Sequence, residues 1–341
     1  MRGRGRDRLI RAAALATTAL AMVAAPPATA ASAQQTHVLV VSGLGGDAEY
    51  SARFVAWSVA LLDAAVAAGV PAAGARWLAE REGVHPRAAG VARVDAVGAE
   101  LAALAARSAP GDLILLVLFG HGSARGGEAR INLPGPDLSA GELAAMLVPL
   151  SDRRLVVVNA ASASGGFIAP LAAPGRVVIT ATRSSAEAEA TRFGAHFVAG
   201  LAGAEADTDK DGAVSILEAF EYARLEVARS FEETGSLATE HALLEDDGDG
   251  RGSLEPGGAD GALAARITLA PPTAAAGMGA SGDPQLDRLR AERARLEQAL
   301  AQLRARKDGM ETEAYERELE RLLLEIARTG RAIREREGAG S

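Results

Sequence analysis

Residues 112–122 read Asp-Leu-Ile-Leu-Leu-Val-Leu-Phe-Gly-His-Gly. A continuous apolar run that ends in a glycine turn is typical of a strand buried on both faces of a parallel sheet. The same pattern predicts strands at residues 37–42, 112–119, 154–159 and 176–181, and helical periodicity predicts helices at 48–68, 89–108, 139–150, 187–201 and 215–233. This alternation predicts an α/β fold in which helices cover both faces of a mostly parallel sheet.

The composition excludes several classes of site. The 341 residues include no cysteine, which excludes disulfides, cysteine-ligated zinc or iron–sulfur centres, and thiolate nucleophiles. The chain carries 36 Lys and Arg against 44 Asp and Glu, a formal net charge of −8. An acidic protein is a poor partner for nucleic acid, so no nucleic-acid partner is expected.

The first 33 residues have the pattern of a signal peptide. Five arginines precede an uncharged apolar run at residues 12–25, which is followed by Pro26-Pro27 and small residues. Because this run is shorter than the roughly 20 residues that cross a bilayer, we expect cleavage rather than a stable membrane anchor. The mature protein is then periplasmic or secreted, and the loss of five arginines and one aspartate leaves 31 basic and 43 acidic residues.

The most specific local motif is the run Asp207-Thr208-Asp209-Lys210-Asp211-Gly212-Ala213-Val214-Ser215-Ile216-Leu217-Glu218. It fits the D-x-D-x-D-G-x5-E pattern of an EF-hand loop, whose oxygen ligands suit Ca²⁺. The predicted ligands are the carboxylates of Asp207, Asp209 and Asp211, the carbonyl of Ala213, Ser215 directly or through water, and a bidentate Glu218. Calcium bound here would brace the fold, and an acidic solvated turn is the alternative.

A second acidic run, Glu245-Asp246-Asp247-Gly248-Asp249-Gly250-Arg251-Gly252, lies further along the chain. With Asp247 as the first ligand, Arg251 takes the fifth position and Gly258 the twelfth, and neither offers a carboxylate. The run is therefore interpreted as an Asx-rich turn, with irregular binding of a second ion as the alternative.

Two of the predicted strands end in residues that could carry chemistry. His121 stands between two glycines at the end of one strand, and the next strand is followed by Asn159-Ala160-Ala161-Ser162-Ala163-Ser164-Gly165. In open α/β sheets the loops at the carboxyl ends of the strands form the binding crevice. We therefore expect His121 and Ser162 at the same rim of the sheet.

These two strand ends resemble those of the legumain, caspase and gingipain superfamily of cysteine peptidases, in which one buried strand ends in His-Gly and a later one in Ala-Cys-x-Ser-Gly. The resemblance covers residues 36–202 and is greatest to the legumain-like branch. It implies a three-layer caspase-like fold, catalytic roles for His121 and Ser162, and oxyanion stabilisation by the backbone amides of Gly122 and Ser162. The sequence departs from the family pattern at the nucleophile, where Ser162 replaces cysteine.

The serine changes what the resemblance implies about activity. A cysteine thiol titrates at about 8.5 and is partly ionised at neutral pH, whereas a serine hydroxyl needs a base in hydrogen-bond contact. Two functions stay open. One is a pseudopeptidase that acts as a calcium-braced module and binds a protein or peptide, and the other is an active endopeptidase with Ser162 as nucleophile and His121 as base.

The turn after the fourth predicted strand would wall the specificity pocket of the resembled fold. It contains Thr182-Arg183-Ser184-Ser185 and Glu187. If Arg183 faces the cleft it would favour an acidic side chain, and if Glu187 does it would favour a basic one. A solvated loop is the alternative.

Two other enzyme classes fit the sequence poorly. The turn Gly43-Leu44-Gly45-Gly46 follows a strand, but the sequence shows no acidic residue that ends a second strand about 20 residues further on, as a dinucleotide site requires. A nucleophile elbow requires glycines where Ala160 and Ser164 stand, so an α/β-hydrolase is also disfavoured.

Residues 270–283 are rich in Pro, Gly, Ala and Ser and predict a linker between a domain at 36–269 and a helical segment at 284–337. Apolar residues in that segment alternate spacings of three and four, with an interruption at Lys307-Asp308-Gly309. This heptad pattern fits an antiparallel hairpin or a coiled coil that mediates self-association. A charged helical tail that packs on its own domain is the third interpretation.

Overall fold

The computed structural model describes residues 34–257, 260–269, 284–305 and 311–338. The predicted signal peptide at 1–33 and the predicted linker at 270–283 lie outside these residues.

The strands of the described residues form two sheets. They are β1 Thr36–Ser42, β2 Ala75–Ala79, β3 Gly90–Val91, β4 Leu113–Phe119, β5 Gly122–Arg125, β6 Glu128–Ile131, β7 Leu138–Ser139, β8 Arg154–Asn159, β9 Arg176–Thr180 and β10 Leu243–Glu245. Within the described residues, the larger sheet has seven strands in the order β3-β2-β1-β4-β8-β9-β10, and all its pairs are parallel except β9 with β10. The strands β5, β6 and β7 form a small antiparallel sheet. The predicted α/β fold with a mostly parallel sheet is therefore confirmed.

Helices cover both faces of the large sheet. They are α1 Ala48–Ala67, α2 Val94–Arg107, α3 Ala140–Leu147, α4 Ile168–Leu171, α5 Phe193–Ala202 and α6 Ile216–Glu233. Successive strand residues point to opposite faces, so Val38 and Val40 pack in one hydrophobic cluster with α1, α5 and α6. Leu39 and Val41 pack in the other cluster with α2, α3 and α4. The result is a three-layer arrangement with two cores.

Helix α1 is long and apolar enough to cross a membrane by length and composition alone. Its buried side chains, which include Phe54, Leu61 and Leu62, belong to the core on one face of the sheet. This packing accounts for its apolar composition without a membrane.

Several elements differ from the predictions made from sequence. Helix α2 begins at Val94 rather than at residue 89, because Gly90 and Val91 pair with β2. Helix α5 begins at Phe193 rather than at residue 187. The strands β2, β3, β5, β6, β7 and β10 were not predicted.

Two further helices follow the α/β domain, α7 Pro284–Ala305 and α8 Thr312–Gly338. They pack against each other through the buried side chains of Leu296, Leu303 and Leu322. The Arg293 guanidinium of α7 donates to the backbone carbonyl of Lys210 at 3.4 Å and to that of Asp209. This helical pair therefore contacts the acidic loop at residues 207–218.

Candidate functional site

The pairing of β4 with β8 places His121 and Ser162 on neighbouring strand ends. Leu118 and Asn159 are register partners, and His121 and Ser162 each come three positions after one of these partners. Because the two strands are parallel, both residues leave the sheet at the same rim. The two strand ends also touch, since the backbone N–H of Gly122 donates to Ser162 Oγ at 3.1 Å.

The ring of His121 is held by the loop after β1 and by α1. Its Nε2 lies 3.1 Å from the carbonyl oxygen of Gly45. A carbonyl can only accept, so Nε2 carries the hydrogen, and in the neutral ring Nδ1 keeps the lone pair. The rings of Tyr50 and Phe54 pack edge-on to the imidazole, with centroids 4.8 and 5.5 Å away. The orientation of His121 is therefore fixed.

Ser162 is 2% exposed, and its hydroxyl is engaged with the backbone of Gly122. The hydroxyl accepts from the Gly122 N–H and lies 3.5 Å from the Gly122 carbonyl, to which it donates. Among the hydrogen bonds of the described residues, none joins Ser162 to His121. The structure thus brings the two strand ends together, but no hydrogen bond of the described residues joins His121 to Ser162.

Gly122 is required by this close approach. A Cβ atom at this position would lie 2.2 Å from the Ser162 carbonyl oxygen and 2.9 Å from that of Arg130. Both contacts are with backbone, which cannot move aside as a side chain can. Any residue larger than glycine would therefore separate the two strand ends.

The turn after Ser162 is fastened to the turn after β9. Ala163 has a left-handed backbone with φ of +53°, which is uncommon for a residue with a Cβ atom. The next residue, Ser164, shares a hydrogen bond with Thr182 through their hydroxyls at 3.2 Å, and the Gly165 N–H donates to Thr182 Oγ1 at 3.0 Å. Thr182 therefore holds the turn in its strained conformation.

The charges predicted to set specificity neutralise each other. Arg183 lies 2.9 Å from the Glu187 carboxylate, whose side chain is 11% exposed. Glu187 also accepts from the backbone N–H groups of Arg183 and His241, and its Oε1 lies 2.7 Å from His241 Nδ1. The Glu187 carboxylate is therefore occupied by partners within the protein, and it is not available to bind a basic side chain of a peptide.

An open cavity of about 690 Å³ lies near the carboxyl ends of β1 and β2. The loops after β1 and β2 and the first turns of α1 form its walls, and its lining includes Leu44, Asp47, Ser51, Val55, Glu80, Arg81 and Val84. Gly45, which anchors the imidazole, belongs to the same loop after β1. The cavity thus combines an apolar surface with both signs of charge at the rim that carries His121.

The loop at residues 207–218 brings three carboxylates together. One oxygen from each of Asp207, Asp209 and Asp211 lies within 4.8 Å of the others. Oxygens that share one Ca²⁺ at 2.3–2.6 Å are at most about 5 Å apart, so this spacing fits a single ion. Gly212 has φ of +92°, as the sharp turn of such a loop requires. These three residues could hold a metal ion.

Glu218 is not part of this three-carboxylate group, although the sequence predicts it as a bidentate ligand. One of its oxygens accepts from the Thr208 N–H at 2.9 Å, and the other accepts from the Ser215 N–H at 2.9 Å in a capping box at the start of α6. Burial raises its pKa, but the hydrogen bonds from Ser215, Thr208 and Asp209 outweigh burial and lower the pKa overall. The carboxylate is therefore ionised at neutral pH and faces the backbone of the loop.

Ala213 and Ser215 occupy the remaining predicted ligand positions. The Ala213 N–H donates to Asp211 at 2.8 Å, which curls the loop inward. The Ser215 hydroxyl donates to Glu218 at 2.9 Å. The donor set is all oxygen, which suits a hard cation such as Ca²⁺ better than a transition metal.

A second group of carboxylates comes from Glu245, Asp247 and Asp249. One oxygen from each lies within 4.8 Å of the others, so this group also could hold a metal ion.

Sequence reasoning missed the residues that fix the His121 ring. Gly45 stands in the turn that fits a dinucleotide site poorly, and Tyr50 and Phe54 lie on a helix whose sequence shows no link to the histidine. The available signal was positional, because the turn after β1 belongs to the same rim as the turn after β4.

No family model matches this chain, and no curated protein is significantly similar to it in sequence.

Proposed function

We propose that this chain is an exported, legumain-like pseudopeptidase that binds a protein or peptide segment at the His121 rim without cleaving it. The observation that carries this proposal is the Ser162 hydroxyl, which is buried and bonded to the Gly122 amide, with no hydrogen bond to His121. The order of the sheet, with β4 beside β8 and an antiparallel edge strand, is compatible with the caspase-like fold that the proposal assumes.

The chemistry of acyl transfer explains why this arrangement favours binding. A serine attacks a carbonyl only when a base removes its proton during attack. The same reaction needs a free backbone N–H to stabilise the oxyanion. Here the Gly122 N–H, which the resemblance assigns to that role, is satisfied by the nucleophile itself. The first requirement is therefore unmet, and one of the two amides assigned to the oxyanion is occupied.

The cavity between the loops after β1 and β2, at the same rim of the sheet as His121, is the proposed binding site. Leu44, Val55 and Val84 offer apolar contacts, while Glu80 and Arg81 offer charged ones. An open cleft with this mixture suits an extended peptide segment, whose side chains alternate in character and whose backbone needs hydrogen-bond partners. Glu80 accepts from the Ser51 hydroxyl at 2.7 Å, which fixes that wall of the cleft.

We further propose that Ca²⁺ braces the domain through the loop at residues 207–218. The Ile216 N–H donates to the Ile267 carbonyl at 2.8 Å, and Ser215 forms a β-bridge with Thr268. An ion bound at this loop would tie α6 to the chain that ends the domain. A ligand at 100 times its Kd adds about 2.7 kcal/mol to stability.

An active endopeptidase is the second candidate, because the Gly122 amide and Ser162 Oγ lie only 3.1 Å apart. Catalytic hydrogen bonds can be absent in a free enzyme and form when substrate binds. A substrate carbonyl that took over the Gly122 N–H would release the serine hydroxyl.

A positional peptide library separates the two candidates. We expect wild type and Ser162→Ala to leave every peptide intact and Ser162→Cys to cleave some of them, as measured by mass spectrometry. Cleavage by wild type that Ser162→Ala abolishes would refute the pseudopeptidase and establish the enzyme.

Binding is tested with the same library in immobilised form. Ala52→Trp fills the cleft from α1, so it should abolish peptide capture, whereas Ala60→Trp, on an exposed position of the same helix outside the cleft lining, should not. Equal capture by both variants would place the binding surface elsewhere.

A further inference from the structure

The acidic run after α6 repeats the spacing of the first three carboxylates of the calcium loop when Glu245 is taken as its start. Glu245, Asp247 and Asp249 then occupy the first, third and fifth positions, as Asp207, Asp209 and Asp211 do in the first loop. Gly250 takes the sixth position with φ of +79°. This register differs from the one that starts at Asp247, in which an arginine occupies the fifth position.

Glu245, a member of this cluster, has one carboxylate oxygen without a hydrogen-bond partner. Its side chain is fully buried, and one oxygen accepts from the Gly248 N–H at 2.6 Å. The other oxygen, Oε2, is buried and has no hydrogen-bond partner. A buried carboxylate oxygen without a partner is unfavourable by the full desolvation cost of that group. A cation at the centre of the cluster would remove this cost.

A fourth carboxylate, that of Asp260, lies in the following turn, outside the three-carboxylate group. Asp260 accepts from the Asp246 N–H at 3.0 Å. The three carboxylates of Glu245, Asp247 and Asp249 lie within 4.8 Å of one another, so their like charges repel one another.

Among the ion pairs of the described residues, none includes one of these carboxylates. The buried guanidinium of Arg176 interacts electrostatically with Glu245, but it donates to the Leu171 carbonyl at 2.6 Å and forms no ion pair with Glu245. The Arg251 side chain is exposed, and no ion pair of the described residues includes it. The cluster thus holds excess negative charge around a buried, unpartnered oxygen.

From these observations we infer that Glu245, Asp247, Asp249 and Asp260 bind a second Ca²⁺. Asp260 supplies the carboxylate that the twelfth loop position lacks, since Pro256 stands there. An all-oxygen donor set of several carboxylates on a turn suits Ca²⁺, which accepts six to eight oxygens in irregular geometry, better than Mg²⁺, which requires an octahedron. This site is separate from the loop at 207–218 and does not depend on the peptidase proposal.

Native mass spectrometry of the purified full chain, titrated with CaCl2, counts the bound ions. We expect two for wild type, one for Glu245→Gln, one for Asp249→Asn, one for Asp209→Asn, and none for Asp209→Asn combined with Asp249→Asn. Glu255→Gln is the matched control and should keep two, because this carboxylate lies in the same segment but its side chain is 82% exposed.

A wild-type chain that binds no ion, or one ion that is lost in Asp209→Asn and kept in Glu245→Gln, would overturn the inference. One ion that is kept in Asp209→Asn and lost in Asp249→Asn would support it while refuting the first loop. Asp260→Asn lies outside the acidic run and is the second test. It should weaken calcium binding at this site at least tenfold in isothermal titration, and unchanged affinity would count against the assigned fourth ligand.

Discussion

Glu240→Gln tests how the start of α5 accommodates a buried carboxylate. Glu240 is 4% exposed, and its oxygens accept from the backbone N–H groups of Arg192 at 2.7 Å and Phe193 at 3.2 Å. These are first-turn donors that the helix itself leaves unsatisfied. Burial raises the pKa of Glu240 from 4.5 to about 7, and the two N–H donors oppose that rise. The carboxyl group is therefore protonated in the folded state at pH values where it is ionised in the unfolded chain.

The direction of the pH dependence follows from this difference. Between pH 4.5 and about 7 the unfolded chain has released the proton and the folded chain has kept it. The contribution of Glu240 to the free energy of unfolding is thus fully present below pH 4.5 and is lost as pH rises through about 7. The difference between the folded and unfolded pKa values of Glu240 corresponds to at most about 3 kcal/mol in the free energy of unfolding. Over pH 5 to 8 we expect a loss of about 2 kcal/mol from this group.

The assay is chemical denaturation of wild type and Glu240→Gln at several pH values in a fixed excess of calcium. The free energy of unfolding of the variant minus that of wild type should rise by about 2 kcal/mol from pH 5 to 8, since glutamine keeps an acceptor but cannot ionise. Taking this difference cancels the titration of groups common to both proteins. The exposed Glu255→Gln should show no such trend. A flat difference for Glu240→Gln would refute the assigned cause.

Three further predictions concern the site, the calcium loop and the tail. Gly122→Ala should lower the free energy of unfolding by about 1–3 kcal/mol, because the new methyl group overpacks against the Ser162 carbonyl. The control Gly257→Ala should not, because a Cβ atom there meets no atom within 4 Å. Equal melting curves for the two variants would show that the strand ends can separate without cost. Chelation of calcium should lower the Tm of wild type, and Glu218→Gln should reduce that difference; an unchanged Tm on chelation would rule out the proposed brace. Removal of residues 284–341 should leave the α/β domain folded and alter its mass in light scattering if the tail helices pair between chains, whereas an unchanged mass would favour an intramolecular pair.

Most of the large sheet could be predicted because its central strands are buried on both faces. The runs at β1, β4, β8 and β9 are continuously apolar, so their lengths follow from composition alone. The strand β2 contains Arg76, which pairs with Glu100 of α2 at 2.6 Å, and its sequence has no such run. The strands of the small sheet are polar and short, and they depend on cross-strand pairing that only the folded chain provides.

The position of the candidate site could be predicted, but its hydrogen bonding could not. The offsets of His121 and Ser162 from their strands follow from sequence once the strands are correct. Which partner the hydroxyl takes depends on shifts of less than an ångström between two turns, and no residue pattern encodes such shifts. The burial of Glu245 also could not be predicted, because this residue belongs to β10, a three-residue strand that the sequence did not predict.

The exchange of sulfur for oxygen at position 162 bears directly on the oxyanion site. A hydroxyl oxygen is small and a good acceptor, so it can approach the Gly122 N–H to 3.1 Å and satisfy it. Sulfur is larger and a weak acceptor, and a thiol at this position would leave that N–H largely unsatisfied. A substrate carbonyl could then compete for it. In the proposed pseudopeptidase, serine thus replaces the thiolate and occupies one oxyanion donor, so Ser162→Cys is expected to restore cleavage.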